Sequence, residues 1–404
     1  MLKADQQGEI MTIATFEFAP MPHIHFGWGI RHNLVKNLQK QTYTSVVLIT
    51  GKTIAHPGNF GDQLYQKLKL TGLVKHFIVS GEPSPDIVDE IVQQCDSDTD
   101  IVIGLGGGSV LDAAKAIAGL IPSQTSVMDY LEGVGAGKPF HVETCPFIAI
   151  PTTAGTGSET TKNAVLSRIG EFKKSFRDNT LLAKEAWLDP ELLTTCPKEV
   201  LYSTGMDAFT QLLESYTTLK ANPITDALAW QGMTLFKGAF EDINSTDTNR
   251  QQSGYSNLML AASLSGTTLA NSGLGAVHGL AGPIGAFFKA PHGIVCARLL
   301  APITQANIEA LEQNKTKHAK QILQKYQQVS QLFNPNLTEE ALLPGLVKTL
   351  KQYALQYTPQ GLAEFGLTQQ NTVIVVKNCR SGSMLGNPIP LSDEKLCETI
   401  TNSL

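Results

Sequence analysis

Residues 100–118 read DIVIGLGGGSVLDAAKAIA. The opening residues, 100–104, centre on the β-branched run Ile101, Val102 and Ile103, as a buried strand does. They run directly into Gly104, Gly106, Gly107, Gly108 and Ser109, and an alanine-rich helix follows. Glycines at such a turn let a phosphate approach the backbone, while the helix N-terminus offers unpaired N–H groups and a positive dipole end. No G-K-[ST] closes the loop, so it is not of the Walker type. Asp112 and Lys115 are expected to form a polar edge to this turn. Taken alone, the loop also reads as a tight strand-to-helix connection.

The flanking sequence narrows the choice. Residues 146–150 (PFIAI) form another strand candidate and lead into 151–161, PTTAGTGSETT, with six hydroxyl side chains, two glycines and one carboxylate. Such a loop can hydrogen-bond phosphate and ribose oxygens. Two polar glycine loops at the ends of parallel strands make a dinucleotide crevice. Further strand candidates are 45–50 (SVVLIT) and 75–80 (KHFIVS), and 85–95 has helical spacing. Alternating strands and helices imply a parallel sheet covered on both faces, which explains strands that are apolar throughout. The pattern changes after Asp189-Pro190. Residues 208–219, 224–240, 257–269 and 315–332 space their apolar side chains helically, with 242–252 expected as a polar loop. The fold expected is an α/β domain with a parallel sheet over 1–190, then an all-α domain over 191–404.

The chain has 404 residues, and its net charge of 31 − 36 = −5 argues against a nucleic-acid binder or a protein docked on anionic membrane. Cys95, Cys145, Cys196, Cys296, Cys379 and Cys397 are scattered and form no C-x-x-C pair, so they read as reduced, buried thiols. No membrane-length apolar run occurs. The first residues carry charges inside any apolar stretch, so no signal peptide is expected and the location expected is cytoplasmic. Residues 1–10 look polar and untethered, and Met11 is a candidate second start.

The helical half carries a metal-ligand pattern. Asp207 and Gln211 lie four apart in GMDAFTQLLESY, on one helix face. His278 and His292 bracket VHGLAGPIGAFFKAPH. Two imidazoles and a carboxylate can hold a divalent ion with a position left open for a substrate oxygen. The remaining histidines, His23, His25, His32, His56, His76, His141 and His318, read as structural.

GGGSVLDAAKAIA, PTTAGTGSE, GMDA, the H-x(13)-H pair and GNPIPLSDEKL together resemble the iron-containing (group III) alcohol dehydrogenases, in order from about Phe26 to the C-terminus. The resemblance implies a Rossmann-like N-terminal domain, a helical metal-binding C-terminal domain, and a nicotinamide and a metal meeting in the cleft between them. It makes Gly107, Gly108 and Ser109 pyrophosphate contacts, places Thr152, Thr153 and Thr156 along the nicotinamide half, and adds Asn163 and Lys173. Asp207, His278 and His292 become ligands of Fe2+ or Zn2+ and, through that ion, the catalytic residues.

Four positions depart from the family pattern. Gln211 stands where many members have histidine, as a weak ligand or a mere neighbour of the ion. Gly282 replaces another histidine, removing a proton-relay group and widening the pocket. Gly51 stands where NAD-selective members often carry an acidic residue, beside Lys52, which leans the choice between NAD and NADP towards NADP. Ser84 replaces an asparagine. The expectation is an NAD(P)-linked, metal-dependent alcohol dehydrogenase or aldehyde/ketone reductase. Its partner would be a small alcohol or aldehyde, with a homodimer as assembly and neither nucleic acid nor membrane. Rival readings are a maleylacetate reductase-type enzyme, a dehydroquinate synthase-like enzyme without net redox chemistry, and a non-catalytic nucleotide-binding protein.

Overall fold

The computed structural model describes residues 13–41 and 43–404. Met11 and residues 1–10 lie outside them. Six parallel strands form one sheet: β1 (His23–Phe26), β2 (Ser45–Gly51), β3 (Leu73–Val79), β4 (Ile101–Gly106), β5 (Phe147–Pro151) and, after an antiparallel hairpin of β6 (Asn163–Arg168) and β7 (Phe172–Arg177), β8 (Glu185–Leu188). Their order is β1-β8-β5-β4-β2-β3. Helices α1 (Leu34–Lys40), α2 (Phe60–Lys69), α3 (Pro85–Gln93) and α4 (Gly108–Leu120) cover the sheet.

The alternation of side chains explains the uninterrupted apolar strands. Val46 and Leu48 of β2, with Ile101, Ile103 and Leu105 of β4, pack on one face with Leu34, Leu38, Leu64 and Leu68 of α1 and α2. Val47, Ile49 and Val102 point to the other face, against Val88 and Ile91 of α3 and the alanines of α4. A strand buried on both sides has no polar positions to spare.

Past β8 the described residues contain only helices: α5 (Lys198–Thr217), α6 (Pro223–Phe236), α7 (Ala239–Ile243), α8 (Thr248–Ser272), α9 (Ala276–Phe288), α10 (His292–Gln313), α11 (Lys317–Phe333), α12 (Glu339–Tyr357), α13 (Thr372–Lys377) and α14 (Asp393–Thr401). They share a third core around Phe209, Leu212, Phe236 and Leu299. No helix among the described residues is long and apolar enough to cross a membrane.

Three expectations need correction. Residues 242–252 are not one loop. Asp247 caps α8 by accepting the Asn249 and Arg250 amides, so the break shrinks to the few residues after Ile243. The polar run is the solvent-facing first turn of α8, whose apolar residues come later. Lys115 is not at an edge but fully buried. Of the six cysteines, all unpaired, Cys196 and Cys397 are only partly buried. The strands β1 and β8 and the hairpin carry too few apolar residues in a row to stand out from sequence.

The junction between sheet and helices is tight. The loop after β5 lies on α8, where Gly157 and Gly266 meet backbone to backbone. A Cβ on Gly266 would lie 2.2 Å from the Gly157 carbonyl oxygen. Thr160 Oγ1 donates to the Ser263 carbonyl of α8 at 2.9 Å.

Candidate metal centre and cofactor crevice

The chain lays β2 and β3 to one side and returns with β4 on the far side of β2. Strand order therefore reverses between β2 and β4, the place where open α/β sheets bind ligands beyond their carboxyl ends. The cofactor candidates lie at this rim. Gly51 ends β2, Gly107, Gly108 and Ser109 follow β4, and Thr152 follows β5. Gly106 pairs with Pro151, and the Thr152 amide donates to the Gly106 carbonyl at 2.9 Å, so the two glycine loops start side by side.

They also interlock. A Cβ on Gly108 would come within 2.6 Å of Thr156 Oγ1, and one on Gly107 within 3.3 Å of Thr153. Glycine is thus required where the threonine loop crosses the α4 N-terminus, and Gly107 brings no side chain to cap that terminus.

Beneath the loops, Lys115 Nζ donates to the Ser158 carbonyl at 2.8 Å, Ser158 Oγ at 3.1 Å, Thr161 Oγ1 at 3.0 Å and the Asn163 carbonyl at 2.8 Å. Asp112 accepts the Ser158 hydroxyl at 2.5 Å and the Val165 amide at 3.1 Å. The pair is a strut that fixes the second loop to α4. Asn163 takes part through its backbone, whereas Lys173, on β7, is ion-paired with Glu82. Burial pushes Lys115 down to about 8 and Glu159 up to about 7.

Three helices build the second site. Asp207 projects from α5, His278 from the first turn of α9, and His292 from the first residue of α10. Asp207 Oδ1 lies 3.0 Å from His278 Nε2 and 3.7 Å from His292 Nε2. Cys296, one turn beyond His292, places its Sγ 3.7 Å from each Nε2. One ligand atom from each of these four residues lies within 4.8 Å of the others. Sequence reading passed over Cys296, although its spacing of four from His292 marked it as a face-mate.

Gln211 lies one turn from Asp207 on α5. Its amide oxygen accepts the Ser265 hydroxyl at 2.9 Å, which occupies one of its lone pairs. Gly282 faces open space, with nothing within 4 Å of where a Cβ would stand.

Glu214, two turns from Asp207 on α5, was also missed. Its carboxylate lies 2.6 Å from His278 Nδ1 and accepts the Val277 amide at 2.7 Å. It therefore caps α9 and turns His278 Nε2 towards Asp207. Asn387, of the GNPIP segment, accepts the Ala276 amide at 3.1 Å and completes that cap. His292 Nδ1, by contrast, is buried without a hydrogen-bond partner among the described residues.

The charges follow from this packing. Burial pushes the Asp207 carboxyl up, but the two histidines outweigh it and hold it at about 2. Burial disfavours charge on His278, yet the anionic groups around it raise it well above the usual imidazole value. Burial takes His292 down to about 4. The centre holds one firm anion in Asp207 and a neutral imidazole in His292.

Known proteins share this chain's sequence pattern and fold. The family profile described as iron-containing alcohol dehydrogenase matches residues 21–190, and the C-terminal profile of the Fe-containing alcohol dehydrogenase family matches 201–404. The chain is 33% identical over 293 residues, 72% of each chain, to Long-chain-alcohol dehydrogenase 1 of Geobacillus thermodenitrificans. It is 28% identical over 380 residues, 90% of this chain and 94% of the other, to the NAD-dependent methanol dehydrogenase of Bacillus methanolicus. In fold it is similar to an archaeal halo-thermophilic alcohol dehydrogenase from a Red Sea brine pool, with TM-score 0.85 and 24% identity over 98% of this chain and 100% of that one. Fold and matches define an oxidoreductase of the alcohol dehydrogenase class. The chain belongs to the iron-containing alcohol dehydrogenase family.

Proposed function

We propose that the protein is a metal-dependent, NAD(P)-linked alcohol dehydrogenase or aldehyde/ketone reductase, working in the cleft between the sheet and the helices. One chain of contacts carries this reading. Gly157 of the cofactor loop abuts Gly266 of α8, and the neighbouring Ser265 bonds Gln211, one turn from Asp207. Crevice and ligand cluster are thus joined through a single helix.

The donor set fits a divalent ion. In a tetrahedral site with ligand bonds of about 2.1 Å, donor atoms stand about 3.4 Å apart, and the Asp207–histidine separations of 3.0 and 3.7 Å straddle that value. Asp207, His278 and His292 would hold the ion, Fe2+ or Zn2+. When bound, the ion polarises the substrate oxygen while the nicotinamide exchanges hydride with the adjacent carbon. The chain's own contribution is placement. Glu214 holds the His278 ring so that Nε2 is the free donor. Gly107, Gly108 and Ser109 present the α4 N-terminus to the pyrophosphate, with Thr152, Thr153 and Thr156 beside it. Lys115 and Asp112 keep the second loop in register with the first.

Metal analysis, combined with turnover of NADPH and NADH against an aldehyde panel, tests the reading. Wild type should carry one divalent ion per chain and His278→Ala should lose both the ion and the turnover. Equal metal content in the two proteins overturns the assignment.

A further inference from the structure

We infer that Cys296 is a fourth protein ligand of the bound ion, as a thiolate, so that the centre is Asp–His–His–Cys. The inference rests on the proposed metal site and adds to it a donor that this chain places where the ion would sit.

Three observations carry it. The first is distance. For zinc, bonds of about 2.3 Å to sulfur and about 2.05 Å to nitrogen put a tetrahedral S···N separation at about 3.6 Å. Cys296 Sγ is 3.7 Å from both His278 Nε2 and His292 Nε2. A thiol has one proton and can donate to one of two imidazoles. Equal distances to both place the sulfur where it can share one cation with the two imidazoles.

The second is direction. His292 and Cys296 are four apart on α10, so both side chains leave the helix on one face, towards Asp207. Cys296 is fully buried at the edge of the helical core, and its sulfur faces the side chains of Asp207, His278 and His292.

The third is the state of position 211. One lone pair of its amide oxygen accepts from Ser265, so this helix turn offers only a weak neutral donor with a single lone pair to spare. Cys296 makes up the donor count from the opposite helix.

Ligation is a proton-for-metal exchange. The S–H bond breaks, the S–metal bond forms with the sulfur lone pair, and the proton leaves to solvent, with no change of oxidation state. A thiolate beside two imidazoles also softens the donor set, favouring zinc or cobalt over magnesium or manganese.

The test is cobalt substitution of the full chain, stripped by chelator and titrated with Co2+ without oxygen. Wild type should develop an intense near-ultraviolet thiolate-to-cobalt charge-transfer band that saturates at one cobalt per chain. Cys296→Ser should bind cobalt, seen by its weak visible bands, and lose the charge-transfer band. Cobalt bound to wild type without that band overturns ligation by Cys296 while leaving the Asp207–His278–His292 site standing. A band that persists in Cys296→Ser also overturns it. Failure of wild type to bind cobalt removes both this inference and the metal site beneath it. Should Cys296→Ser not fold, the cadmium chemical shift of the wild-type cadmium form decides alone, since a sulfur ligand displaces it strongly from an all-nitrogen and oxygen site.

Discussion

Glu214 and Gly51 show how single side chains set the chemistry from outside the reacting atoms. Glu214 orients His278 through Nδ1, and the carboxylate behind a ligating imidazole commonly accounts for about 10–100-fold in metal affinity. Glu214→Gln should therefore weaken metal binding by about that factor in a chelator competition. Unaltered competition would mean that Glu214 serves only as the cap of α9. Gly51 ends β2, and a Cβ there would meet Val110 at an ordinary 3.5 Å. Gly51→Asp can thus be introduced without a clash. Its carboxylate should accept the ribose 2′-OH and repel a 2′-phosphate, moving the NADP(H)/NAD(H) ratio of kcat/KM towards NAD(H). An unchanged ratio would remove Gly51 from cofactor choice.

At the scale of elements, the α4 N-terminus and the loop after β5 work as one unit, because each fills the space the other leaves. Gly108 is where this is most exposed to test. With Thr156 Oγ1 only 2.6 Å from an added methyl, Gly108→Ala must push the loops apart. Overpacking of this kind costs about 1–3 kcal/mol of stability. Dinucleotide affinity, read by fluorescence of the bound nicotinamide, should fall together with the denaturation midpoint. If both are unchanged, the loops are not interlocked as described.

Across the whole molecule, the buried Glu159–Lys115 neighbourhood links folding to pH. Burial raises the Glu159 carboxyl from 4.5 to about 7, with the Lys115 charge opposing only in part. Between these values the folded chain keeps a proton that the unfolded chain has released. Stability is therefore lost as pH rises from about 4.5 to 7, by up to about 3 kcal/mol. Lys115 is lowered from 10.5 to about 8. Over that interval the unfolded chain binds more protons, so stability rises again towards alkaline pH. Denaturation midpoints should show a trough around neutral pH. Glu159→Gln should remove its acid side, and a variant with the same acid-side slope as wild type would refute the coupling.

The sequence by itself determined the parallel α/β half, the helical half, both glycine loops and the Asp207, His278 and His292 candidates. The halves and the loops are written in local pattern, as apolar runs and glycine at a strand end, whereas the three ligand candidates rest on the family resemblance. Strands β1 and β8 escaped because each has only four residues, too few to show a periodicity. The polar start of α8 looked like a loop because the first buried apolar side chain, Leu258, comes well after the cap, Asp247. Cys296, Glu214 and the occupied state of Gln211 were decided only by tertiary structure. Asp207 and Cys296 are far apart in the chain and meet because α5, α9 and α10 pack around one point. Lys115 read as part of a polar edge to the turn because charge is normally solvated. Only the fold, by wrapping four oxygen acceptors from one loop around its ammonium group, makes a fully buried lysine stable there.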